Sequence, residues 1–370
     1  HPNPSPQGGG ARFEYEPDMT LEIETVRAED EGAAGRLRLN RPKALHALDL
    51  DMVKATTAAL LRWRDNPEIR LVMIDHAEGR GFCAGGDVVT IARSVGEKDG
   101  VAEEFFLHEY RMNHLLFTYY KPTVVFMDGI TMGGGVGIAQ PSRYRVATEN
   151  TRFAMPETTI GFFPDVGGGR YLSQLPGCMG KFLGLTGARL DGAECKYLGI
   201  ATHYIPSAAL DEVKARIAEH PERVEGILGQ ATVSPPDARI AENDARINKL
   251  FAGETLEEII AALEADGSDW AQKELATLRA RSPLACKVSL KLLAQSYGMP
   301  SFAAEMTKEY AMAVRMTHYP DFREGVRALL IDKDNAPQWE PATPEGVSEA
   351  LVDSMFEPLP SGQTWTPLAE

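Results

Sequence analysis

The sequence contains few cysteines, and their distribution argues against a disulfide framework. Four cysteines occur in 370 residues, and they form no CxxC pair. Such wide spacing is typical of proteins from a reducing compartment. No stretch approaches the run of about 18 apolar residues that a membrane-spanning helix needs. We therefore expect no membrane segment and a cytoplasmic protein, or a mitochondrial matrix protein if the host is eukaryotic.

The chain also lacks an excess of positive charge. It carries 38 Lys and Arg against 53 Asp and Glu, so its formal net charge is −15. Nucleic-acid binding needs a clustered basic surface, which this balance disfavours. A few local cations could still hold a small polyanion. The length, with 44% hydrophobic and 25% charged residues, is typical of a soluble globular protein with two domains, or one domain and an appendage.

Several catalytic motifs are absent. There is no GxSxG elbow, and no intact GxGxxG opens a helix after the first predicted strand. The segment 108–112 begins like a zinc-protease motif, but Met112 stands where the second histidine is required. The eight histidines show no metal-ligand spacing, and no internal repeat or heptad pattern is present. We therefore expect no metal.

The first half of the chain reads as an α/β fold and the second half as helical. Short apolar segments at 21–26, 35–39, 71–75, 123–127 and 144–147 predict buried strands, and helical spacing at 49–64 and 105–119 predicts helices between them. Strands that alternate with helices indicate an α/β core. Beyond about residue 208 helical patterns dominate, at 254–263, 270–281 and 284–295, with Ser282 and Pro283 as a helix start.

This pattern predicts four regions. Residues 1–18 begin with HPNPSPQGGG and are expected to form a disordered leader. Residues 19–208 are expected to form the core that carries the active site, and 209–340 a C-terminal helical region. The Pro-rich remainder, 341–370, is expected to be an extended tail on the surface.

Glycine clusters are the most unusual feature of the composition. GFCAGGD at 81–87 follows one predicted strand, MGGGVG at 132–137 follows another, and a third cluster lies at 167–169. Glycine lets the backbone turn sharply and present N–H groups without side-chain obstruction. Two such loops could aim two N–H donors at one carbonyl oxygen, which is an oxyanion hole. Tight turns and close packing of a helix on a strand explain the same glycines.

Two carboxylates stand in apolar surroundings. Glu157 and Asp165 are eight positions apart within FAMPETTIGFFPD at 153–165. Burial among such residues raises the pKa of a carboxyl group toward the range useful for acid–base catalysis. A helix cap or a loop hydrogen bond is an equally good explanation from spacing alone. Taken singly, Glu109 reads as a solvated helix residue and Cys83 as a buried, inert thiol.

Together these motifs resemble one known family. RPKALHAL at 41–48, the FCAGGD turn, the GGGVG loop and the PE segment have the order and spacing of the crotonase (enoyl-CoA hydratase/isomerase) superfamily. The segment 153–169 and the distal DFREGVRA at 321–328, with DKD at 332–334, resemble its 3-hydroxyisobutyryl-CoA hydrolase family. The resemblance runs from about residue 20 to 340.

The resemblance implies a fold and a set of site residues. The fold is a spiral of ββα units followed by a C-terminal helical region. The oxyanion hole is formed by the backbone N–H groups of Gly86 and Gly134. Coenzyme A lies near a set of residues that match the CoA site of the family, namely Lys43, Ala44, Leu45, Arg80 and Asp87.

Departures from the hydratase pattern indicate the reaction. Hydratases of the superfamily carry a catalytic Glu at the position of Gly137 and generally have glycine where this chain has Asp165. Because water addition needs both carboxylates, we expect hydratase activity to be absent or residual. The exchange matches the hydrolase group, in which Glu157 either attacks the carbonyl or activates water, Asp165 orients the water or the substrate hydroxyl, and Glu109 contacts substrate.

The resemblance therefore implies hydrolysis of a short β-hydroxyacyl-CoA thioester, with 3-hydroxyisobutyryl-CoA favoured and valine breakdown as its context. CoA is then part of the substrate, and no separate cofactor is implied. Two alternatives stay open: an enzyme of the hydratase/isomerase type, and a CoA-binding module without turnover. The helical region could mediate homo-oligomers based on a trimer, or fold back on its own core as a monomer.

Overall fold

The computed structural model of the protein describes residues 25–369. The predicted leader at 1–18 and most of the predicted strand at 21–26 lie outside this range. The strands are β1 Val26–Glu31, β2 Ala34–Leu39, β3 Leu71–His76, β4 Gly81–Cys83, β5 Thr123–Met127, β6 Ile130–Met132, β7 Tyr144–Ala147, β8 Arg152–Ala154, β9 Leu190–Asp191 and β10 His203–Tyr204.

Helices connect and follow these strands. In the first half they are α1 Leu50–Asp65, α2 Val88–Glu97, α3 Val101–Phe117, α4 Gly134–Ala139, α5 Gly168–Ser173, α6 Met179–Thr186 and α7 Gly192–Tyr197. In the second half they are α8 Leu210–Glu219, α9 Val224–Ala231, α10 Asp244–Leu250, α11 Leu256–Asp266, α12 Asp269–Arg279, α13 Pro283–Ser296, α14 Phe302–His318, α15 Pro320–Val326 and α16 Glu349–Met355.

From β3 to β8, successive strands alternate between two sheets. The large sheet has the order β1-β2-β3-β5-β7-β10 and the small sheet the order β4-β6-β8-β9. The pairs β3–β4, β5–β6 and β7–β8 each place one strand in either sheet before the chain enters a helix. This repetition is a spiral of ββα units, so the predicted α/β architecture is confirmed. The hairpin of β1 with β2 was not predicted, because VRAEDE has only two apolar residues, Val26 and Ala28, and four charged ones.

Both faces of the large sheet are covered, which explains the continuous apolar runs of β3 and β5. Val72, Ile74, Val125 and Met127 face the main core, while their sequence neighbours face α8 and α9. Successive strand side chains point to opposite faces, and a parallel sheet between helices therefore needs apolar residues at every position. The strands at 71–75 and 123–127 are confirmed as buried.

The C-terminal helices fold back onto the core of their own chain. One continuous apolar cluster contains residues from β1 to Trp365, and it includes α13 and α14. The predicted start of α13 is confirmed, since the Ser282 side chain accepts from Ala285 N–H and Pro283 is the first helical residue. The prediction of an extended tail at 341–370 is wrong in part. It contains α16, and Trp365 is buried against the ring of His114 on α3.

Candidate active site

Three loops of the small sheet converge on one cavity. Strands β4, β6 and β8 are parallel neighbours, so their carboxyl ends lie at the same edge of the sheet. Gly86 follows β4, Gly134 follows β6 and Glu157 follows β8. All three line a cavity of about 400 Å³. Ligand sites in such sheets are typically found at the carboxyl ends of strands.

The cavity contains two backbone N–H groups without a partner. Within residues 25–369, neither the N–H of Gly86 nor that of Gly134 donates a hydrogen bond. The two loops are in contact, because a Cβ atom built on Gly134 would lie 3.4 Å from the carbonyl carbon of Gly85. The same Cβ would lie 2.6 Å from Glu109 Oε1, so a side chain here would fill the site. Two free donors in one recess fit the geometry of an oxyanion hole.

Glu157 begins a 3₁₀ turn, Glu157–Ile160, directly after Pro156. Its side chain is buried, and its Oε2 atom has no hydrogen-bond partner in the described chain. Its Oε1 atom would be 3.3 Å from a Cβ built on Gly133, which places the carboxylate beside the Gly134 donor. Burial first, and the charge of Asp165 second, hold the pKa of Glu157 well above its usual range.

Asp165 faces the same cavity and is held by Tyr110. The Tyr110 hydroxyl on α3 donates to Asp165 Oδ2 at 2.7 Å. Burial raises the pKa of Asp165 to about 7, while the Tyr110 hydrogen bond acts to lower it. The following residue, Val166, has a φ of 55°, which is rare for a β-branched residue. The N–H of Gly167 donates to Glu309 Oε2 at 2.8 Å and fixes this turn from α14.

Glu109 completes a group of three buried carboxylates. Its side chain is only 2% exposed, so the solvated helix residue suggested by its sequence position alone is wrong. Its Oε1 atom has no hydrogen-bond partner among the described residues. Burial raises the pKa of Glu109 well above normal, and the charges of Asp165 and, to a smaller extent, Glu157 raise it further. Because like charges this close disfavour joint ionisation, the three carboxyl groups retain protons at a pH where isolated ones would be ionised.

Gly137 has no room for a side chain. A Cβ atom built on it would lie 2.6 Å from Val166 Cβ and 2.7 Å from Asn113 Nδ2. Real Cβ contacts essentially never fall below 3.0 Å. The space that a carboxylate would occupy here is therefore filled by α3 and by the turn after Asp165.

The residues expected near CoA form a neighbouring surface. Leu45 accepts a hydrogen bond from the N–H of Ala84, which lines the cavity. Lys43 and Arg80 are exposed on adjacent loops, and Ala44 ends a short 3₁₀ turn. The carboxylate of Asp87 is already engaged, since it caps α2 through Thr90 N–H and pairs with Arg41 at 2.8 Å.

Much of the cavity wall was not predicted from the sequence. The predicted boundary at 208 placed the active site in the first half alone, but Arg281, Phe322, Leu329 and Leu330 from the second half also line it. Phe105, Phe106 and Phe162 add an aromatic wall from the first half. Tyr110 falls within the helix predicted at 105–119. Helical spacing identified its buried face, but no local signal showed that its hydroxyl meets a residue 55 positions away.

The Cys83 thiol is not activated as a nucleophile. Burial raises the pKa of the Cys83 thiol to about 12, and thiolates rather than thiols are nucleophiles. The four cysteines are free thiols. Over residues 25–369, no group of three or more His, Cys, Asp or Glu is arranged to hold a metal ion. Within the same range, no helix has the length and apolarity needed to cross a membrane.

The chain is similar to known proteins over most of its length. A family model described as enoyl-CoA hydratase/isomerase matches residues 34–356. A protein of Xenopus laevis named "3-hydroxyisobutyryl-CoA hydrolase, mitochondrial" is 44% identical over 341 residues, which are 89% of this chain and 88% of that protein. The human protein of the same name is 40% identical over 347 residues, covering 91% and 90% of the two chains.

Solved structures show the same fold. A structure titled as a carnitinyl-CoA dehydratase from Mycobacterium thermoresistibile matches with a TM-score of 0.88 at 38% identity, covering 93% of this chain and 99% of that one. A structure titled as an enoyl-CoA hydratase from Rhodobacter sphaeroides matches with a TM-score of 0.86 at 38% identity, covering 92% and 99%.

Proposed function

The chain belongs to the enoyl-CoA hydratase/isomerase family, and we propose that it hydrolyses the thioester of a short β-hydroxyacyl-CoA, with 3-hydroxyisobutyryl-CoA as the preferred substrate. The relatives that carry the name 3-hydroxyisobutyryl-CoA hydrolase support this substrate, since the match covers 89% and 91% of this chain. CoA is part of the substrate, and the reaction needs no separate cofactor.

One observation carries the choice of hydrolysis. Glu157 lies beside the two free N–H donors, while position 137 has no space for a second carboxylate. Hydration of a double bond needs a carboxylate at each of the two positions, whereas hydrolysis needs only one group that attacks the acyl carbon or activates water. The geometry therefore favours thioester cleavage over water addition.

The proposed roles follow from the positions of the groups. The N–H groups of Gly86 and Gly134 hold the thioester carbonyl and stabilise the oxyanion, a contribution for which one donor is typically worth about 3 kcal/mol. Glu157 either attacks the carbonyl carbon, forming an anhydride that water opens, or takes a proton from an attacking water. In both routes the C–S bond breaks and CoA leaves as the thiol. Asp165 orients the water or the substrate hydroxyl, and Glu109 contacts substrate.

The CoA moiety is proposed to lie along Lys43, Ala44, Leu45 and Arg80. The two exposed cations meet the phosphate groups, and the carboxylate of Asp87 acts indirectly by holding Arg41. A mitochondrial location, in a eukaryotic host, is favoured over the expected cytoplasm by the names of the Xenopus and human relatives. A monomer is favoured, because the C-terminal helices bury their apolar faces on the core of their own chain.

Release of free thiol tests the proposal directly. Thiol formation would be followed with 3-hydroxyisobutyryl-CoA, 3-hydroxypropionyl-CoA and crotonyl-CoA as substrates. We expect rapid release from the two hydroxyacyl thioesters and no loss of the crotonyl-CoA absorbance. Loss of that absorbance, without thiol release from any substrate, would contradict the proposal.

Loss of the crotonyl-CoA absorbance without thiol release would indicate hydratase activity, the competing reaction. The two solved structures described above carry the titles of a dehydratase and a hydratase. Against the same activity in this chain stand Gly137, which lacks a carboxylate, and the side chains of Val166 and Asn113, which occupy its place.

The pH dependence of the reaction should reflect the buried carboxylates. Burial raises the pKa of Asp165 to about 7, and the pKa of Glu157 is raised as well. A catalytic carboxylate works in its ionised form, so kcat/KM should fall as the pH decreases through the raised pKa, near neutrality rather than near 4. Tyr110→Phe removes the donor that acts to lower the pKa of Asp165. The acid limb of the variant should move to higher pH by about one unit.

Tyr310→Phe is the matched control for this shift. Tyr310 packs edge-on against Tyr110, and its hydroxyl contacts the Glu103 carbonyl instead of a carboxylate of the site. Its pH profile should match that of the wild type. A wild-type midpoint near pH 4, or an acid limb that Tyr110→Phe leaves in place, would show that these carboxylates do not govern the rate.

A further inference from the structure

His46 is a buried histidine in the loop between β2 and α1. Its side chain has no exposed surface, and its backbone has a φ of 58°, in the left-handed region. Its backbone N–H donates to the carbonyl of Arg41 at 2.9 Å, and its Nδ1 atom accepts from the backbone N–H of Arg41 at 2.9 Å. These two bonds to one residue close the loop from Arg41 to His46.

The other ring nitrogen reaches a second loop. His46 Nε2 lies 2.8 Å from the backbone carbonyl of Glu78, in the loop between β3 and β4. The Arg41 N–H can only donate and the Glu78 carbonyl can only accept. Nδ1 must therefore carry the lone pair and Nε2 the hydrogen, which assigns the ring to its neutral Nε2–H tautomer. Gly79 lies in the second loop with a φ of 95°, a conformation that glycine adopts without strain.

Each of these two loops carries one exposed cation. Lys43 lies in the first loop and Arg80 in the second, and neither forms an ion pair within residues 25–369. We propose that His46 is a positioning residue that ties the two loops together. This inference rests on the proposed function, in which these two cations meet the phosphates of CoA. His46 sets the spacing between the cations without touching the thioester.

The proposed role requires the neutral ring. Protonation would place a hydrogen on Nδ1 opposite the N–H of Arg41, and the bond that closes the first loop would be lost. The groups that face the ring are His76, whose ring centroid is 5.3 Å away, Glu78 and Arg41. Burial lowers the pKa of His46, and His76 lowers it further although Glu78 opposes this. The decrease in affinity for CoA on acidification should thus occur at a pH below the ordinary pKa of histidine.

The experiment compares substrates with and without the nucleotide. KM and kcat would be measured for 3-hydroxyisobutyryl-CoA and for the corresponding pantetheine thioester, which lacks the nucleotide. His46→Phe keeps a ring but loses both hydrogen bonds. We expect its KM for the CoA thioester to rise about tenfold, the factor that corresponds to 1.4 kcal/mol, while kcat and the KM for the pantetheine thioester stay unchanged. His46→Gln, which retains one acceptor and one donor, should recover part of the loss.

His203→Phe is the control, since His203 is a half-buried histidine on β10 with no link to either loop. Equal losses with both substrates in His46→Phe would indicate general damage to the site and overturn the proposal, as would an unchanged KM for the CoA thioester. Calorimetric titration with free CoA and with pantetheine gives the same comparison without turnover. If the wild type hydrolyses neither thioester, the proposed hydrolase function is refuted. If His46→Phe then still binds CoA more weakly and pantetheine equally well, the proposed role of His46 stands.

Discussion

Glu157→Gln should reduce thioester hydrolysis by about 10²–10⁴-fold, the range typical of a group that acts as acid, base or nucleophile. The substitution keeps the shape of the side chain and removes only its charge and its capacity to attack or accept a proton. The rate would be measured as thiol release from 3-hydroxyisobutyryl-CoA at saturating substrate. Binding of free CoA should be retained, because Glu157 lies beside the carbonyl site and the proposed phosphate contacts lie on other loops.

The same substitution should leave the protein as stable as the wild type, or more stable at alkaline pH. The pKa of Glu157 is raised in the folded state by burial and by Asp165. The folded protein therefore binds a proton more tightly than the unfolded chain, and this stabilisation is lost as the pH rises through the folded pKa. Glutamine does not titrate, so the variant should lose less stability. Denaturant unfolding at several pH values would show this, and lower activity with undiminished stability distinguishes a functional residue from a structural one.

Glu104→Gln provides the matched control, because Glu104 is an exposed residue of α3 that pairs with Lys54 at the surface. Equal thioesterase rates in the wild type and Glu157→Gln would contradict the proposed role and favour a CoA-binding module without turnover. Single-turnover hydrolysis in H₂¹⁸O addresses the two chemical routes. Label in the Glu157 carboxylate identifies the anhydride route, since a general base never exchanges its oxygens with the product.

Gly137→Glu, which restores the carboxylate position of hydratases, should destabilise the protein without creating hydratase activity. Already the Cβ atom would lie 2.6 Å from Val166 Cβ and 2.7 Å from Asn113 Nδ2. Overpacking of a buried site typically costs about 1–3 kcal/mol, and a buried charge adds to that cost. We expect a lower midpoint of unfolding in denaturant, reduced thioesterase activity and no loss of crotonyl-CoA absorbance.

Gly226→Glu is the control for this substitution. Gly226 lies in α9, and a Cβ atom built on it would meet no other atom within 4 Å. Replacement of glycine in an exposed helix should be neutral or stabilising. Hydration of crotonyl-CoA by Gly137→Glu, or by the double variant with Asp165→Gly, would show that Val166 and Asn113 can be displaced and that the geometry is not what excludes the reaction.

The elements that the sequence predicted well are those whose pattern is local. The continuous apolar runs at 71–75 and 123–127 require burial on both faces, which only a sheet between two layers provides. Ser282 and Pro283 define a helix start within four residues. The loops with Gly86 and Gly134 follow their strands directly, so the convergence of these two residues is a consequence of adjacent parallel strands.

The contacts that turn these loops into a candidate site join residues far apart in the chain. Glu109 meets the Gly134 loop because α3 packs on it, and Tyr110 reaches Asp165 across 55 positions. The tail was expected to be extended, yet Trp365 is buried. The prediction failed here because a single aromatic residue in a polar segment has no periodicity that would indicate burial. The walls from α15 and the segment after it were missed because they reach the cavity only through packing of the second half on the first.

Residue type and spacing within a few positions thus predicted the α/β core and the glycine loops. The family resemblance added the spiral of ββα units and the missing carboxylate at Gly137. Tertiary packing alone determined that three carboxylates are buried together, that Val166 and Asn113 close the space at Gly137, and that His46 joins two loops. The physical reason is that burial and hydrogen bonds depend on which surfaces the whole chain brings together, whereas hydrophobic periodicity and turn chemistry act between near neighbours.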